Sequence, residues 1–421
     1  MGRISRAVVW IICLVIVGLG GGGIPASFPS AGQAAAEPGA SLGLTPQAYV
    51  PLMAYPACET DFLRKGPQVI LTGNNTEMKV VWQLDATLPS TLQWGPDLQY
   101  SLGYTVTAET GPAHQHSYTI GHLTPGARYY YRVFAGTACA AGSFYAPPPG
   151  SASSLKFFAY GDTRNGIAIN DTIAGQINAI YTVDSASQTF ILAAGDLVSS
   201  GDLESSWRSE FFDSHYSNLR AVFSHIAFLP VMGNHEGGGA LFKRYFPMPF
   251  AASRYWSFDY GPAHVVMLDQ YVPYGASSLE YTWLRDNLAA SQKMWKFIVL
   301  HEPGWSAGGG HANNPTVQAA IQPLAEQYGV SVIFGGHNHY YARAVVNGVT
   351  HLTVGGGGAP LYTPVPGANH VVTAWPAYSF AKIVITGNVL TGTIVQLNGD
   401  VIDTFTVRRE PLLRRHFVRG R

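Results

Sequence analysis

Charged residues are scarce in this sequence, and their signs balance. Of its 421 residues, 12% are charged and 47% are hydrophobic, and the formal net charge is +0. A chain of this length and composition can bury a sizeable core, and its length predicts two to three domains. Residues 37–407 alone carry a net charge of −7, which argues against nucleic acid as the main partner.

Cysteine is also scarce. The sequence has three cysteines, Cys13, Cys58 and Cys139. Cys13 lies in an N-terminal segment that we expect to be removed. In an exported protein the remaining pair favours one disulfide bond, between Cys58 and Cys139, and two unpaired, partly buried thiols are the alternative.

The N-terminus has the features of a secretory signal. Arg3 and Arg6 precede an apolar run over residues 7–24, and alanines at 34–36 form a cleavage site of the A-x-A type. The run is near the lower limit of ~18 residues for a membrane span, so an uncleaved membrane anchor is the alternative. Four glycines at 20–23 weaken the run as a helix. We therefore expect residues 1–36 to be a signal peptide and the protein to be secreted, into the extracellular space or the periplasm.

The rest of the chain divides by its patterns. Residues 37–64 hold several Pro, Gly and Ala without a sustained period, which indicates a linker. Residues 65–148 contain short β-rich runs between turn residues and predict an all-β domain. In residues 155–407, strand-like runs alternate with longer segments, which predicts a mixed α/β domain. Residues 408–421 hold six Arg and one Glu and predict a solvated basic tail.

Four segments of the α/β domain are long enough to be helical. They cover residues 167–181, 203–223, 279–290 and 315–328. A hairpin is predicted within residues 256–268, and Gly387-Asn388 predicts a tight turn between the last two strands. The chain shows no repeat of solenoid period.

Five apolar runs of the α/β domain each lead into residue types that bind metal ions. These residues are Asp162, Asp196, Asn234, His301, His337 and His339. Each run is typical of a buried strand, and α/β sheets form their sites at the carboxyl ends of strands. Each motif alone is weak evidence, but the series has no structural reason to recur. It indicates a metal centre in which the Asp196 carboxylate bridges two ions.

The Gly-Asp, Gly-Asn-His-Glu, His-Glu-Pro and Gly-His-Asn-His motifs around these residues resemble those of the calcineurin-like metallophosphoesterases. More closely, residues 65–407 resemble purple acid phosphatases that carry an N-terminal fibronectin type III-like domain. Tyr129 lies in a turn followed by further tyrosines and resembles the corner tyrosine of such a sandwich, whose hydroxyl bonds the backbone. The resemblance implies that the α/β domain has two sheets packed face to face, with helices outside.

The resemblance also implies two metal sites that share Asp196. The ligands of the first are Asp162, Asp196 and His339. The ligands of the second are Asp196, Asn234, His301 and His337. Carboxylate and imidazole suit two divalent ions such as Zn, Mn or Fe. Two cations about 3.5–4 Å apart lower the pKa of a water and stabilise the charge of an in-line phosphoryl transfer.

Three further residues are candidates for contact with substrate. By resemblance, His235 lies near the leaving group, where an imidazole can donate a proton; a structural histidine is the alternative. His311 lies in a glycine-rich loop whose counterpart in related enzymes contacts substrate, and Arg164 is placed to pair with phosphate or with Glu302. For both, a plain surface residue is the alternative. Glu236 is expected to support the site or cap a helix rather than bind metal.

Two positions depart from the family pattern. Purple acid phosphatases have a tyrosine three residues after the bridging aspartate, where this chain has Ser199. Other metallophosphoesterases have a histidine two residues after the first aspartate, where this chain has Arg164. The first metal therefore has one protein ligand fewer, and water, Ser199 or Asn165 is expected to fill the gap. We expect a colourless enzyme that uses divalent ions, with a weaker first site.

The leading interpretation is a secreted dinuclear hydrolase that cleaves small phosphorylated substrates as a phosphomonoesterase. A phosphodiesterase of the same fold is the first alternative, because the ligands alone do not separate the two substrate classes. A degenerate, non-catalytic binding or adhesion protein is the second, and the missing ligand motivates it. Membrane contact is expected only if the signal stays uncleaved, and no oligomeric state is predicted.

Overall fold

A computed structural model of the protein describes residues 63–110, 113–136, 138–184 and 190–410. All of them belong to one compact unit, Tyr55–Arg421. The predicted signal peptide, nearly all of the predicted linker, Cys58 and the tail beyond residue 410 lie outside the described residues. The Cys58–Cys139 disulfide therefore stays a prediction.

The first part of the described chain is a sandwich of two antiparallel sheets. Its strands are β1 (Leu63–Ile70), β2 (Met78–Leu84), β3 (Ser90–Gly95), β4 (Gly103–Thr107), β5 (Gln115–Ile120), β6 (Arg128–Ala135) and β7 (Ala138–Tyr145). One sheet has the order β1-β2-β5 and the other β4-β3-β6-β7. The predicted tyrosine corner is confirmed, because the backbone N–H of Thr124 donates to the Tyr129 hydroxyl over 2.9 Å.

The second part has two larger sheets. The strands of the first are β8 (Ser154–Tyr160), β9 (Phe190–Ala193), β10 (Ala227–Pro230), β18 (Ser379–Thr386), β19 (Val389–Gln396) and β20 (Val401–Arg408). The strands of the second are β11 (Trp256–Tyr260), β12 (Ala263–Met267), β13 (Trp295–Val299), β14 (Val332–Gly335), β15 (Tyr341–Val346), β16 (Val349–Val354) and β17 (Val371–Trp375). Their orders are β10-β9-β8-β18-β19-β20 and β11-β12-β13-β14-β16-β15-β17. The predicted hairpins, β11–β12 and β18–β19, are both antiparallel pairs.

The two larger sheets pack face to face through aromatic side chains. Phe157 on β8 lies with its ring centroid 5.4 Å from that of Phe297 on β13 and 6.0 Å from that of Phe334 on β14. Phe190 on β9 contacts Tyr260 on β11 at 5.1 Å. These rings are buried, so the core between the sheets fixes how their strand ends align. The fold is mixed α/β with two facing sheets, as predicted.

Helices lie between the strands of the second part. They are α1 (Ile167–Val183), α2 (Glu204–Ser206), α3 (Ser217–His225), α4 (Ala240–Tyr245), α5 (Leu279–Ala290) and α6 (Gln322–Gln327). π-Helical turns follow α2 at Trp207–Phe211 and precede α6 at Val317–Ile321. α5 has the predicted bounds, and its N-cap Ser278 accepts a hydrogen bond from the backbone N–H of Tyr281.

Residues 203–223, which the sequence predicts to be helical, form helical turns on both sides of a break. The chain leaves the helical path after Phe211 and resumes it only at Ser217. Asp213 explains the break, because its carboxylate accepts the backbone N–H of His215 over 2.9 Å. An Asx turn of this kind competes with helical hydrogen bonding.

Polar contacts join the sandwich to the α/β part. The Tyr131 hydroxyl donates to the carbonyl oxygen of Ser224 over 3.0 Å, and the backbone N–H of Ser143 donates to Nδ1 of His225 over 3.0 Å. Lys65 also forms an ion pair with Glu204. None of the helices in the described ranges has the length and apolar character needed to cross a membrane.

Candidate metal centre

The candidate ligands lie at the carboxyl ends of strands that the two sheets bring together. Asp162 follows β8, Asp196 follows β9 and Asn234 follows β10 in the first sheet, where β8–β9 and β9–β10 are parallel pairs. His301 follows β13, and His337 follows β14 in the second sheet, where these strands also pair in parallel. The packing of the two sheets therefore carries residues from five chain segments to one edge.

The backbone at this edge is held in unusual conformations. Asp162, Asp196 and His337 have φ values of 58°, 56° and 66°, in the left-handed region that non-glycine residues rarely adopt. Such strain is typical of functional sites that the surrounding structure enforces. A Cβ atom on Gly233 would lie 2.2 Å from Oδ1 of Asp196, and one on Gly336 would lie 2.2 Å from Oδ2 of Asp162. Only glycine leaves room for these carboxylates.

Four side chains converge on one point, which we call the four-ligand site. Its members are Asp196, Asn234, His301 and His337. Nε2 of His301 lies 3.0 Å from Oδ1 of Asn234, 3.1 Å from Nδ1 of His337 and 3.4 Å from Oδ1 of Asp196. Nδ1 of His337 lies 3.0 Å from Oδ1 of Asn234.

These spacings suit a bound cation. Ligand atoms ~2.0–2.2 Å from one ion are separated from each other by roughly 3 Å. Nδ1 of His301 lies 2.6 Å from the carbonyl oxygen of Ala194 and therefore carries the proton, which leaves a lone pair on Nε2. Burial lowers the pKa of His337 to about 3, so its imidazole stays neutral and able to bind a cation at and below neutral pH.

A second group lies on the other side of Asp196, and we call it the three-ligand site. Its members are Asp162, Asp196 and His339. Oδ1 of Asp162 lies 3.6 Å from Nε2 of His339, and Nδ1 of His339 donates to the carbonyl oxygen of Pro360 over 2.8 Å. The two oxygens of Asp196 face different partners, Oδ1 the His301 imidazole and Oδ2 the Arg164 guanidinium. The Asp196 carboxylate therefore lies between the two groups.

The two aspartates share a buried and crowded environment. Ligand atoms of Asp162, Asp196 and His301 lie within 4.8 Å of one another, and all three residues are buried. Burial and then the neighbouring Asp196 raise the pKa of Asp162 well above its usual range. Burial also disfavours the charged form of Asp196, but nearby His301, His235 and Arg164 outweigh it and lower the pKa. Two such carboxylates need a compensating positive charge.

Arg164 supplies one such charge. Its Nε lies 3.3 Å from Oδ2 of Asp196, and its Nη2 lies 3.5 Å from Nε2 of His339. Glu302, the alternative partner considered above, is instead contacted by the Tyr271 hydroxyl at 3.2 Å and the Asn314 amide at 2.8 Å. Ser199 and Asn165, the suggested replacement ligands, both bond Glu210: the Ser199 hydroxyl donates to its carboxylate, and the Asn165 backbone N–H donates over 3.2 Å.

His235 and His311 both reach the centre. The His235 backbone N–H donates to Oδ1 of Asp196 over 3.0 Å, and its Nδ1 lies 2.9 Å from the carbonyl oxygen of Ser199. Its Nε2 lies 3.9 Å from Oδ2 of Asp196. The His311 ring stacks on His337 with centroids 3.8 Å apart, and burial lowers its pKa.

Sequence reasoning missed two residues that shape the centre. Tyr362 stacks on His339 with centroids 4.3 Å apart, and its hydroxyl lies 3.4 Å from Nε2 of His311. Oε1 of Gln270 accepts the backbone N–H groups of His301 and Glu302, over 2.8 and 2.6 Å. Gln270 lies in the loop after β12 and Tyr362 in the loop after β16, and no sequence motif distinguishes either residue.

Glu236 holds two of the ligand loops together. Its Oε2 accepts the backbone N–H groups of Asp196 over 3.0 Å and Gly233 over 2.6 Å, and its Oε1 accepts that of Leu197 over 2.7 Å. The side chain is fully buried. Glu236 thus positions the loops that carry Asp196 and Asn234.

Comparison with known proteins identifies the class of this fold and centre. The family model of the calcineurin-like phosphoesterases matches residues 156–341, which include Asp162, Asp196, Asn234, His301, His337 and His339. The chain therefore contains a calcineurin-like metallophosphoesterase domain. The model of the purple acid phosphatase N-terminal domain matches residues 65–146, so the chain has the domain arrangement of purple acid phosphatases.

Individual proteins that this chain is similar to are purple acid phosphatases, in agreement with the family models. The chain is 30% identical over 269 residues to purple acid phosphatase 21 of Arabidopsis thaliana, an alignment that covers 58% of each chain. It is 27% identical over 267 residues to a purple acid phosphatase of Glycine max, covering 58% of this chain and 56% of the relative. The chain thus spans less than three fifths of the length of these relatives. The purple acid phosphatase PPD1 from yellow lupin (Lupinus luteus) seeds shares the fold, with a TM-score of 0.70, 18% identity, and coverage of 82% of this chain and 75% of that one.

Proposed function

We propose that this protein is a metal-dependent hydrolase of phosphate esters that acts on small phosphomonoesters. The observation that carries the proposal is the four-ligand site, in which ligand atoms of Asp196, Asn234, His301 and His337 lie 3.0–3.4 Å from their neighbours. Membership of the calcineurin-like phosphoesterases and similarity to purple acid phosphatases support the choice of phosphate esters.

The donor set fits a divalent ion of the Zn, Mn or Fe kind. Two imidazoles, a carboxylate and an amide oxygen are ligands that these ions accept. When bound, such an ion supplies Lewis-acid chemistry toward a phosphoryl oxygen and acidifies water. The family pattern calls for a second ion at the three-ligand site, where the structure places the Arg164 guanidinium against Asp196 and His339.

The remaining residues are arranged to handle the ester. We assign Arg164 to phosphoryl oxygens, because its planar guanidinium pairs well with phosphate and stays charged. The Nδ1–H of His235 donates to the carbonyl oxygen of Ser199. When the ring is protonated on both nitrogens, its Nε2–H is the proton that it can pass to the leaving oxygen. We assign His311 to substrate contact, since its exposed ring lies against His337.

We also propose that the protein is exported and that its domains have the bounds predicted from the sequence. Export rests on Arg3, Arg6 and the apolar run at residues 7–24. N-terminal sequencing of the secreted chain tests it, and a mature N-terminus near residue 37 is expected. Recovery of the intact N-terminus on a membrane-bound chain would favour the anchor.

The function is tested by hydrolysis of a matched pair of chromogenic substrates, a phosphate monoester and a diester. Metal-stripped protein is refilled with Zn, Mn, Fe or Co, and Asp196→Ala is compared with the surface variant Asp286→Ala, whose wild-type side chain is 63% exposed. Loss of a positioning residue around a metal typically costs 10–100-fold, so removal of a ligand should cost more than ~100-fold in turnover. Wild type and Asp286→Ala should cleave the monoester faster, and only with metal. A diester preference would identify a phosphodiesterase, and folded protein without turnover would favour a binding protein.

A further inference from the structure

The two halves of the candidate centre are unequal. At the four-ligand site, four donor atoms from different chain segments face one point at separations of 3.0–3.4 Å. At the three-ligand site, Oδ1 of Asp162 and Nε2 of His339 are 3.6 Å apart, and a positively charged side chain lies against the group. That side chain is Arg164.

Arg164 is held in this position from both ends. Its backbone N–H donates to the carbonyl oxygen of Asp196 over 3.1 Å, and its guanidinium contacts Oδ2 of Asp196 at 3.3 Å and Nε2 of His339 at 3.5 Å. His339 has its proton on Nδ1, which donates to Pro360, so Nε2 offers a lone pair. The guanidinium therefore lies against two of the three donors that an ion at the three-ligand site would need.

Ser199 does not complete a site for an ion there. The hydroxyl of Ser199 donates to Glu210, whose carboxylate also accepts the backbone N–H groups of Ser199 and Asn165. The guanidinium is permanently charged, so it neutralises part of the carboxylate pair and repels a second cation. The three-ligand site of this chain therefore does not fit the metal ion that the family pattern predicts.

We infer that this chain binds one divalent ion, at the four-ligand site, and that the Arg164 guanidinium takes the place of the second ion of the family. The inference rests on the function proposed above and gives the composition of its active centre. The guanidinium then provides donors to the phosphoryl group from the side of Asp162 and His339. It does so at every metal concentration, because it is part of the chain.

Metal stoichiometry tests the inference directly. Full-length protein is stripped with a chelator, loaded with Mn²⁺, desalted and analysed for manganese per chain, and the bound Mn²⁺ is recorded by electron paramagnetic resonance. We expect one ion per chain with the signal of an isolated Mn²⁺. Two ions per chain with an exchange-coupled signal would overturn the inference.

Three variants test which residues determine the number of metal ions bound per chain. Asn234→Ala should lose the ion, whereas His339→Ala should keep one ion with the affinity of the wild type. Arg164→His should gain a second ion, because it removes the guanidinium and supplies the missing imidazole. A loss of the ion in His339→Ala, or a single ion in folded Arg164→His, would contradict the assignment. If Arg164→His does not fold, as judged by circular dichroism, the other two variants test the assignment. The ion should then be lost in Asn234→Ala and kept in His339→Ala.

The metal stoichiometry can be tested independently of the proposed hydrolytic activity. A chain that binds one ion and cleaves no ester would refute the proposed activity and leave the stoichiometry standing. A chain that binds two ions and cleaves esters would refute the one-ion stoichiometry and leave the proposed activity standing. Asp286→Asn, a change on the surface, should match the wild type in both measurements.

Discussion

Replacement of Glu236 by glutamine tests the claim that this buried carboxylate organises the centre. Glu236 accepts three backbone N–H groups, two on Oε2 and one on Oε1. Glutamine has almost the same shape but only one acceptor oxygen. Whichever way its amide is turned, at least one buried N–H group loses its acceptor and faces another donor.

The size of the effect of Glu236→Gln on stability can be estimated from this lost hydrogen bond. With the amide nitrogen in the place of Oε1, only the Leu197 N–H is left unpaired. A buried donor without a partner costs about 1–3 kcal/mol, so Glu236→Gln should lower the free energy of unfolding by at least that amount. The loops of Asp196 and Asn234 would also be less well fixed, and metal affinity should fall roughly 10–100-fold.

Chemical denaturation of the metal-free protein and metal titration measure the two effects separately. Glu326→Gln is the matched control, because Glu326 is exposed and its carboxylate bonds only side chains in the described structure. The control should change stability by less than about 0.5 kcal/mol. Wild-type stability and wild-type metal affinity in Glu236→Gln would refute the role assigned to this carboxylate.

Two further predictions concern the sandwich and its contact with the α/β part. Tyr129→Phe removes the hydroxyl that accepts the Thr124 N–H, and denaturant unfolding should show a loss of about 0.5–1.5 kcal/mol; an unchanged midpoint would contradict the tyrosine corner. Burial lowers the pKa of His225 to about 4, below its ordinary value of ~6.5, so the unfolded chain takes up this proton first. The contribution of His225 to the free energy of unfolding is therefore fully present above pH 6.5. Up to about 3 kcal/mol of it is lost as the pH drops to 4. In His225→Asn, denaturation curves across this range should be flatter than in wild type or in the exposed-site control His122→Asn, and equal slopes would contradict the assignment.

Much of the fold could be predicted because periodicity and turn chemistry are local. α5 has the bounds predicted from its apolar pattern, and the Gly387-Asn388 turn lies in an antiparallel hairpin. The break between Phe211 and Ser217 could not be predicted from apolar spacing, because the Asp213 side chain competes with the helix through its own backbone contact. That contact leaves no trace in the hydrophobic pattern.

The candidate ligands could be named because each follows a strand, and parallel strands bring their ends to one edge. Their roles as ligands stay a proposal. The supporting contacts could not be named in the same way. Tyr362 reaches His339, and Gln270 reaches the His301 backbone, only after the loops beyond β16 and β12 fold back over the sheet edge. Sequence spacing does not encode the paths of those loops.

Arg164 shows most clearly which contacts of a side chain cannot be predicted from the sequence. Its position two residues after Asp162 indicates from the sequence alone that a ligand is missing, but it does not distinguish phosphate, Glu302 or solvent as the partner of the guanidinium. The direction of its guanidinium, toward Asp196 and His339, depends on distances between side chains of three different loops. Only the folded arrangement shows that a charged group already lies where a metal ion was expected.

The most direct test of the central claim is anomalous diffraction from crystals grown with Mn²⁺ or Zn²⁺. The structure predicts one strong peak within bonding distance of Oδ1 of Asp196, Oδ1 of Asn234, Nε2 of His301 and Nδ1 of His337. A protein saturated with metal that shows no anomalous peak among these four atoms would contradict the account.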